Sequence, residues 1–216
     1  MTRVILVRHG QTIWNKELKY QGHSDIALTE TGIRQAELVA ARLAREEISA
    51  VYTSDLSRAR VTAETIACRF GLPVNIDAAL REIKFGDWEG LTYENINAGW
   101  PEANRKFFTN PDEVRIPGGE TFAEVKERAS AAIEKLVARH PQETIVVVTH
   151  GGTIRTIICA ALNIHLKYLW SIRQDNTAVN IIEYYAERSI VTLINDTHHL
   201  QLADYYRKPN TSQQPD

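Results

Sequence analysis

The stretch Thr144-Ile145-Val146-Val147-Val148-Thr149-His150-Gly151-Gly152 is a branched apolar run that stops at a histidine and two glycines. A continuous run of this kind, without polar alternation, is what a strand buried on both faces requires. Near the start of the chain, Val4-Ile5-Leu6-Val7 repeats the pattern and also stops at a histidine, in Arg8-His9-Gly10. Glycine at such a stop lets the backbone turn sharply and lets a ligand come close. If the two strands are neighbours, both imidazoles open into one crevice beyond their carboxyl ends, which is where open α/β sheets bind ligands.

Away from these two strands the signals alternate. Residues 30–46 read as an amphipathic helix with Ile33, Ala36, Ala40 and Leu43 inward. Ala50-Val51-Tyr52-Thr53 reads as a strand, and Ser54 is placed to cap a helix carrying Leu56, Ala59, Ala63 and Ile66 on one side. A short strand follows over residues 72–76. Thr121-Phe122-Ala123-Glu124 is a capping-box pattern opening a helix to about residue 139, with Val125, Ala129, Ala132, Ile133 and Leu136 inward. A helix over 152–162 and strands over 177–185 and 190–195 complete the series. Such alternation predicts an α/β fold, a three-layer α/β/α sandwich with a mostly parallel central sheet. It reads as one domain over residues 1–203. Residues 84–119, with Trp88, Trp100 and turn signals at Gly86, Gly90, Pro101, Asn110-Pro111 and Pro117-Gly118-Gly119, read as a small helical insertion over the sheet edge. The polar end, residues 204–216, reads as a disordered tail.

Composition narrows the function. With 216 residues, 44% apolar and 24% charged, and only 11 Gly and 7 Pro, the chain is neither low-complexity nor disordered. A net charge of -2 gives no pull toward nucleic acid or an anionic membrane. No window approaches the roughly 18 unbroken apolar residues of a membrane span, and the first apolar run is too short for a signal core. Cys68 and Cys159 are far apart and form no C-x-x-C, so they read as reduced thiols in or near the core of a cytoplasmic protein.

The strand-end residues suggest an oxyanion site. Arg8 adjoins His9, and Arg58 lies at the start of the helix after the second strand. Guanidinium groups present forked donors that match phosphate oxygens. A metal would need cysteines or carboxylates at short spacing, and Arg8 would repel it; no H-E-x-x-H or C-x-x-C is present, so neither a metal nor another cofactor is expected.

Several ordered blocks then resemble the histidine phosphatase superfamily, the phosphoglycerate-mutase-like proteins. They are Leu6-Val7-Arg8-His9-Gly10-Gln11-Thr12 with Trp14-Asn15, Tyr20-Gln21-Gly22 with Asp25 and Leu28-Thr29-Glu30-Thr31-Gly32, and Ser54-Asp55-Leu56-Ser57-Arg58-Ala59. Arg81-Glu82-Ile83 with Phe85-Gly86-Asp87-Trp88-Glu89-Gly90, Pro117-Gly118-Gly119-Glu120-Thr121 and Val148-Thr149-His150-Gly151-Gly152 complete the match. The resemblance implies that His9 is the nucleophile and carries the phosphoryl group as a phosphohistidine. It implies that Arg8, Arg58 and His150 surround the phosphate and that Glu82 serves as acid and then base. Asn15, Gln21, Gly22 and the Gly151 N–H would lie at the phosphate's edge.

The short path after Glu82 resembles the phosphatase branch, which implies a metal-independent phosphomonoesterase acting on a small phosphate ester. α-Ribazole phosphate, phosphoserine and sugar or glycerate phosphates are the substrates such relatives suggest. A phosphoglycerate mutase is the first alternative and a non-catalytic phospholigand-binding module the second. The family fold pairs through a sheet edge or helix, so a homodimer is the assembly to test. Phe85, Trp88 and Phe107 are candidates for the leaving-group pocket, and His23 for a substrate contact. His165, His198 and His199 read as structural or exposed.

Overall fold

Why the two histidine-bearing strands end together is visible in their pairing. The computed structural model describes residues 1–201. Strand β1 (Thr2–Arg8) lies parallel to β4 (Thr144–Thr149), with Arg8 opposite Thr149. Beyond β4 come β2 (Ile48–Thr53) and β3 (Val74–Ile76), also parallel. On the other side of β1, β5 (Val179–Tyr184) and β6 (Ser189–Asp196) run antiparallel. The six-stranded order is β3-β2-β4-β1-β5-β6. The parallel part is the buried centre, as the continuous apolar runs require.

Alternate residues of β1 and β4 feed two cores. Val4, Leu6, Ile145 and Val147 face the layer of α6 (Phe122–Arg139) and α7 (Gly151–Ala161). Ile5, Val7, Val146 and Val148 face α2 (Glu30–Leu43) and α3 (Ser57–Cys68), α1 (Ile13–Lys16) being the short helix after β1. This is the three-layer α/β/α sandwich. Helix α6 opens on the capping box read from the sequence, with Thr121 accepting from the Glu124 N–H and Glu124 reaching back to the Thr121 N–H.

Several local readings need correction. Helix α2 stops at Leu43, and its inward face is Gly32, Ala36, Val39, Ala40 and Leu43, while Ile33 is exposed. The face is rotated because Gly32 packs on the Gln11 backbone and Gly10 on the Gly32 carbonyl, contacts that a side chain at either glycine would block. Ser54 does not cap α3. The helix begins at Ser57, whose N–H donates to Asp25 Oδ1 at 2.8 Å, and Ser54 is directed elsewhere. Cys68 is exposed while Cys159 is buried, and both are free thiols.

The segment holding α4 (Tyr93–Gly99) and α5 (Pro101–Thr109) packs with the α6 and α7 layer. Its apolar residues Phe85, Trp88, Ile96, Phe107 and Ile116 join the core shared with α6 and α7, so burial draws it onto that face. The proposed tail at 204–216 lies outside the described residues. No helix among the described residues is long and apolar enough to cross a membrane.

Candidate active site

The parallel pairing of β1 and β4 delivers His9 and His150 side by side. The His9 N–H donates to the Thr149 carbonyl at 3.0 Å, and the two ring centroids are 5.2 Å apart. His9 Nδ1 lies 2.7 Å from the Gly10 carbonyl oxygen. A carbonyl only accepts, so the proton sits on Nδ1 and Nε2 keeps its lone pair. Asn176 holds the His9 backbone, its Nδ2 donating to the His9 carbonyl at 3.1 Å and to Asn15 Oδ1 at 3.2 Å. His150 Nε2 is 2.7 Å from Ser54 Oγ. Burial pushes both imidazoles well below their ordinary value, and Arg58 and Arg8 beside them act in the same direction. Both rings are neutral near pH 7.

The cations are anchored as firmly. Arg8 Nη1 donates to the Gln174 carbonyl at 2.6 Å. Arg58 is wholly buried, donating from Nη1 to the Ser24 carbonyl at 2.8 Å and from Nη2 to the Gly22 carbonyl at 2.6 Å. Burial brings its guanidinium down to about 10, still charged at neutral pH. Gln21 is buried, its Oε1 accepting from Thr12 Oγ1 at 2.9 Å. Four buried nitrogens here have no partner among the described residues: Arg8 Nε, Arg58 Nε, Gln21 Nε2 and His150 Nδ1. Unsatisfied buried polar groups are rare and costly, and grouped donors of this kind mark a place for an anion.

Glu82 arrives from the loop after β3 and is fixed by the start of α7. Its Oε2 accepts from the Gly152 N–H at 3.0 Å, and its Oε1 from the Thr153 N–H at 3.1 Å and the Ile83 N–H at 3.0 Å. Glycine is needed at 152 because a Cβ there would stand 2.5 Å from Glu82 Oε1. Gly151 opens the same helix, beside Arg8 and Arg155. A residue not read from the sequence, Arg128 of α6, holds the loop from below. It donates to the carbonyls of Ala79, Arg81 and Glu82 at 2.8, 2.8 and 2.9 Å. His23 Nε2 donates to the Glu82 carbonyl at 3.0 Å and so supports the loop.

Arg8, His9, Asn15, Gln21 and Glu82 line a cavity of about 330 Å³. Arg58 and His150 lie beneath its floor, both fully buried. Of the aromatic candidates, Phe85 is on the wall, whereas Trp88 and Phe107 are buried in the cluster behind it. The sequence reading missed Tyr20, Tyr93, Phe108 and Trp170, which form the rest of the aromatic wall. Among the described residues, no three His, Cys, Asp or Glu side chains gather as a metal site needs.

A fold with paired strand-end histidines over buried arginines defines a class. The profile of the histidine phosphatase superfamily (branch 1) matches residues 4–197, and the chain belongs to that family. Phosphoserine phosphatase 1 of Hydrogenobacter thermophilus is 36% identical over 200 residues, covering 93% of this chain and 95% of that protein. Phosphoglycerate mutase-like protein 4 of Arabidopsis thaliana is 40% identical over 202 residues, covering 92% and 86%. The structure of a phosphoserine phosphatase mutant from Entamoeba histolytica in complex with phosphoserine superposes with a TM-score of 0.85 at 32% identity, covering 93% of this chain and all of that one.

Proposed function

We propose that this protein is a metal-independent phosphomonoesterase that hydrolyses a small phosphorylated metabolite through a phosphohistidine at His9. Its relatives support a phosphatase of small phosphate esters. The observation that carries the mechanism is the His9 ring, neutral and locked with Nε2 bare on the cavity wall. A neutral, oriented imidazole is the nucleophile this chemistry needs.

In the first step Nε2 attacks phosphorus, the N–P bond forms and the ester P–O bond breaks. Glu82, as the carboxylic acid, gives its proton to the departing oxygen. In the second step the Glu82 carboxylate takes a proton from water. The water oxygen attacks phosphorus, the N–P bond breaks, and inorganic phosphate leaves. Arg8, Arg58, Gln21 and His150 supply the unpartnered donors for the charge spread over the equatorial oxygens. Asn15 holds the loop edge, and Arg58 fixes the Gly22 carbonyl. The Gly151 N–H stands at the helix end that faces the anion.

The test is phosphate release from a panel of phosphoserine, α-ribazole phosphate, 3-phosphoglycerate, sugar phosphates and p-nitrophenyl phosphate, with and without chelator. Chelator-insensitive release, an acid-labile phosphoenzyme on rapid quench, and loss of both in His9→Ala are expected. Release that survives His9→Ala overturns the reading. Conversion of 3-phosphoglycerate to 2-phosphoglycerate without free phosphate would favour the mutase reading that the Arabidopsis relative's name suggests.

A further inference from the structure

We propose that the natural substrate's leaving group carries an aromatic ring, which lies against Tyr93 and Phe108 on the outer wall of the phosphate cavity. This rests on the phosphatase reading and narrows it. Tyr93 of α4 and Phe108 of α5 are 48% and 40% exposed, although both are large apolar side chains. They form one edge of a continuous ring array. Tyr93 and Phe108 have centroids 5.9 Å apart, and Phe108 and Trp170 5.3 Å apart. Trp170 is held in place, its Nε1 donating to the Phe107 carbonyl at 2.7 Å, with the Arg155 guanidinium 5.3 Å from its ring centre. A further ring laid on this edge would extend an array whose neighbours meet at tilts of 55° and 45°.

The size of the site points the same way. A second depression of about 570 Å³ shares Tyr93 and Phe108 with the phosphate cavity and runs on past Asn97, Pro101 and Arg105. A ring attached beyond the ester carbons would reach the rim and cover both side chains.

The charges argue against an amino acid as leaving group. Glu82 is the one acidic side chain on the cavity wall among the described residues, and its oxygens already accept from Ile83, Gly152 and Thr153. Glu17, nearby in sequence, is paired with Lys19 at 2.8 Å. An ammonium group on this wall would face Arg8, and of the carboxylates nearby Glu94 is turned to Thr92 at the surface.

The experiment compares kcat/KM for 2-phenylethyl phosphate with that for ethyl phosphate and phosphoserine. All three leave as alkyl alcohols, so the ring is the main difference between the first two. The phenylethyl ester is expected to exceed both others by about tenfold or more, chiefly through KM. Tyr93→Ala and Phe108→Ala, each removing an exposed side chain, should bring the phenylethyl-to-ethyl ratio down toward one. Far-ultraviolet circular dichroism of both variants checks that they are folded. Phosphoserine turned over as well as 2-phenylethyl phosphate, or a ratio unmoved in both variants, overturns the proposal. No release from any ester would instead strike the phosphatase reading, and this proposal with it.

Discussion

Ser54 Oγ lies 2.7 Å from His150 Nε2, joining the end of β2 to the end of β4 inside the buried floor of the site. That bond fixes the ring so that Nδ1 is the nitrogen left without a partner among the described residues. The residue acts on the second imidazole and does not line the cavity.

Ser54→Ala should therefore lower kcat while leaving KM for a small ester nearly unchanged. Losing one buried hydrogen bond that orients a reacting group costs about 1–3 kcal/mol, or roughly five- to 160-fold in rate. Ser54→Thr, which keeps the hydroxyl, should recover part of it. Steady-state kinetics of the two variants with ethyl phosphate checks this. Equal losses in both would mean that packing, and not the hydroxyl, is what matters.

Acid should weaken the fold through His9 and His150. Burial depresses both values in the folded state, whereas unfolded they titrate near 6.5. Above that value neither state is charged and the full stability is present. As pH falls below it the unfolded chain binds protons that the folded one refuses, and stability is lost. Each group contributes about 1.4 kcal/mol per unit of depression once the pH is well below. Urea midpoints at pH 7.5 and 5.0 should diverge, and His150→Asn should show a shallower fall. Orthovanadate should narrow the gap, because an anion beside the rings favours their charged forms. Parallel slopes for wild type and variant would contradict this.

Arg128 is expected to behave as a positioning residue for Glu82. Its guanidinium satisfies three carbonyls of the loop that carries the carboxylate, and pairs with Glu120 at 2.9 Å. Arg128→Lys keeps the charge and loses the fork. Rates should drop most for esters of poorly acidic alcohols and least for p-nitrophenyl phosphate, the same ordering as in Glu82→Gln. A uniform loss across leaving groups would assign Arg128 to stability alone. Thermal denaturation alongside the kinetics separates the two.

How much of this was legible beforehand depended on periodicity. Val4–Val7 and Ile145–Val148 read as buried strands because they are short, rich in β-branched residues and closed by glycine, and the meeting of His9 and His150 followed from their neighbouring. Ser54 misled because its spacing before α3 imitates a cap, while its actual bond spans 96 residues and leaves no local trace. Ile33 misled because the three- and four-residue steps fit two adjacent stripes of α2, and the choice was made by glycine contacts with another loop. Arg128 looks like any solvated arginine of an amphipathic helix. On helices of seven and nine residues, no repeat separates an aromatic that faces the core, such as Phe107, from its neighbour Phe108 at the rim.

The groups that would break the ester bond ride on the ends of β1 and β4, the first turn of α3 and the loop after β3, whereas Tyr93 and Phe108 of the aromatic wall ride on α4 and α5. The two helices show one face to the alcohol and another to the core, Phe107 being buried beside the exposed Phe108, so a change at the rim positions Tyr93 and Phe108 can alter what is bound without unpacking the fold.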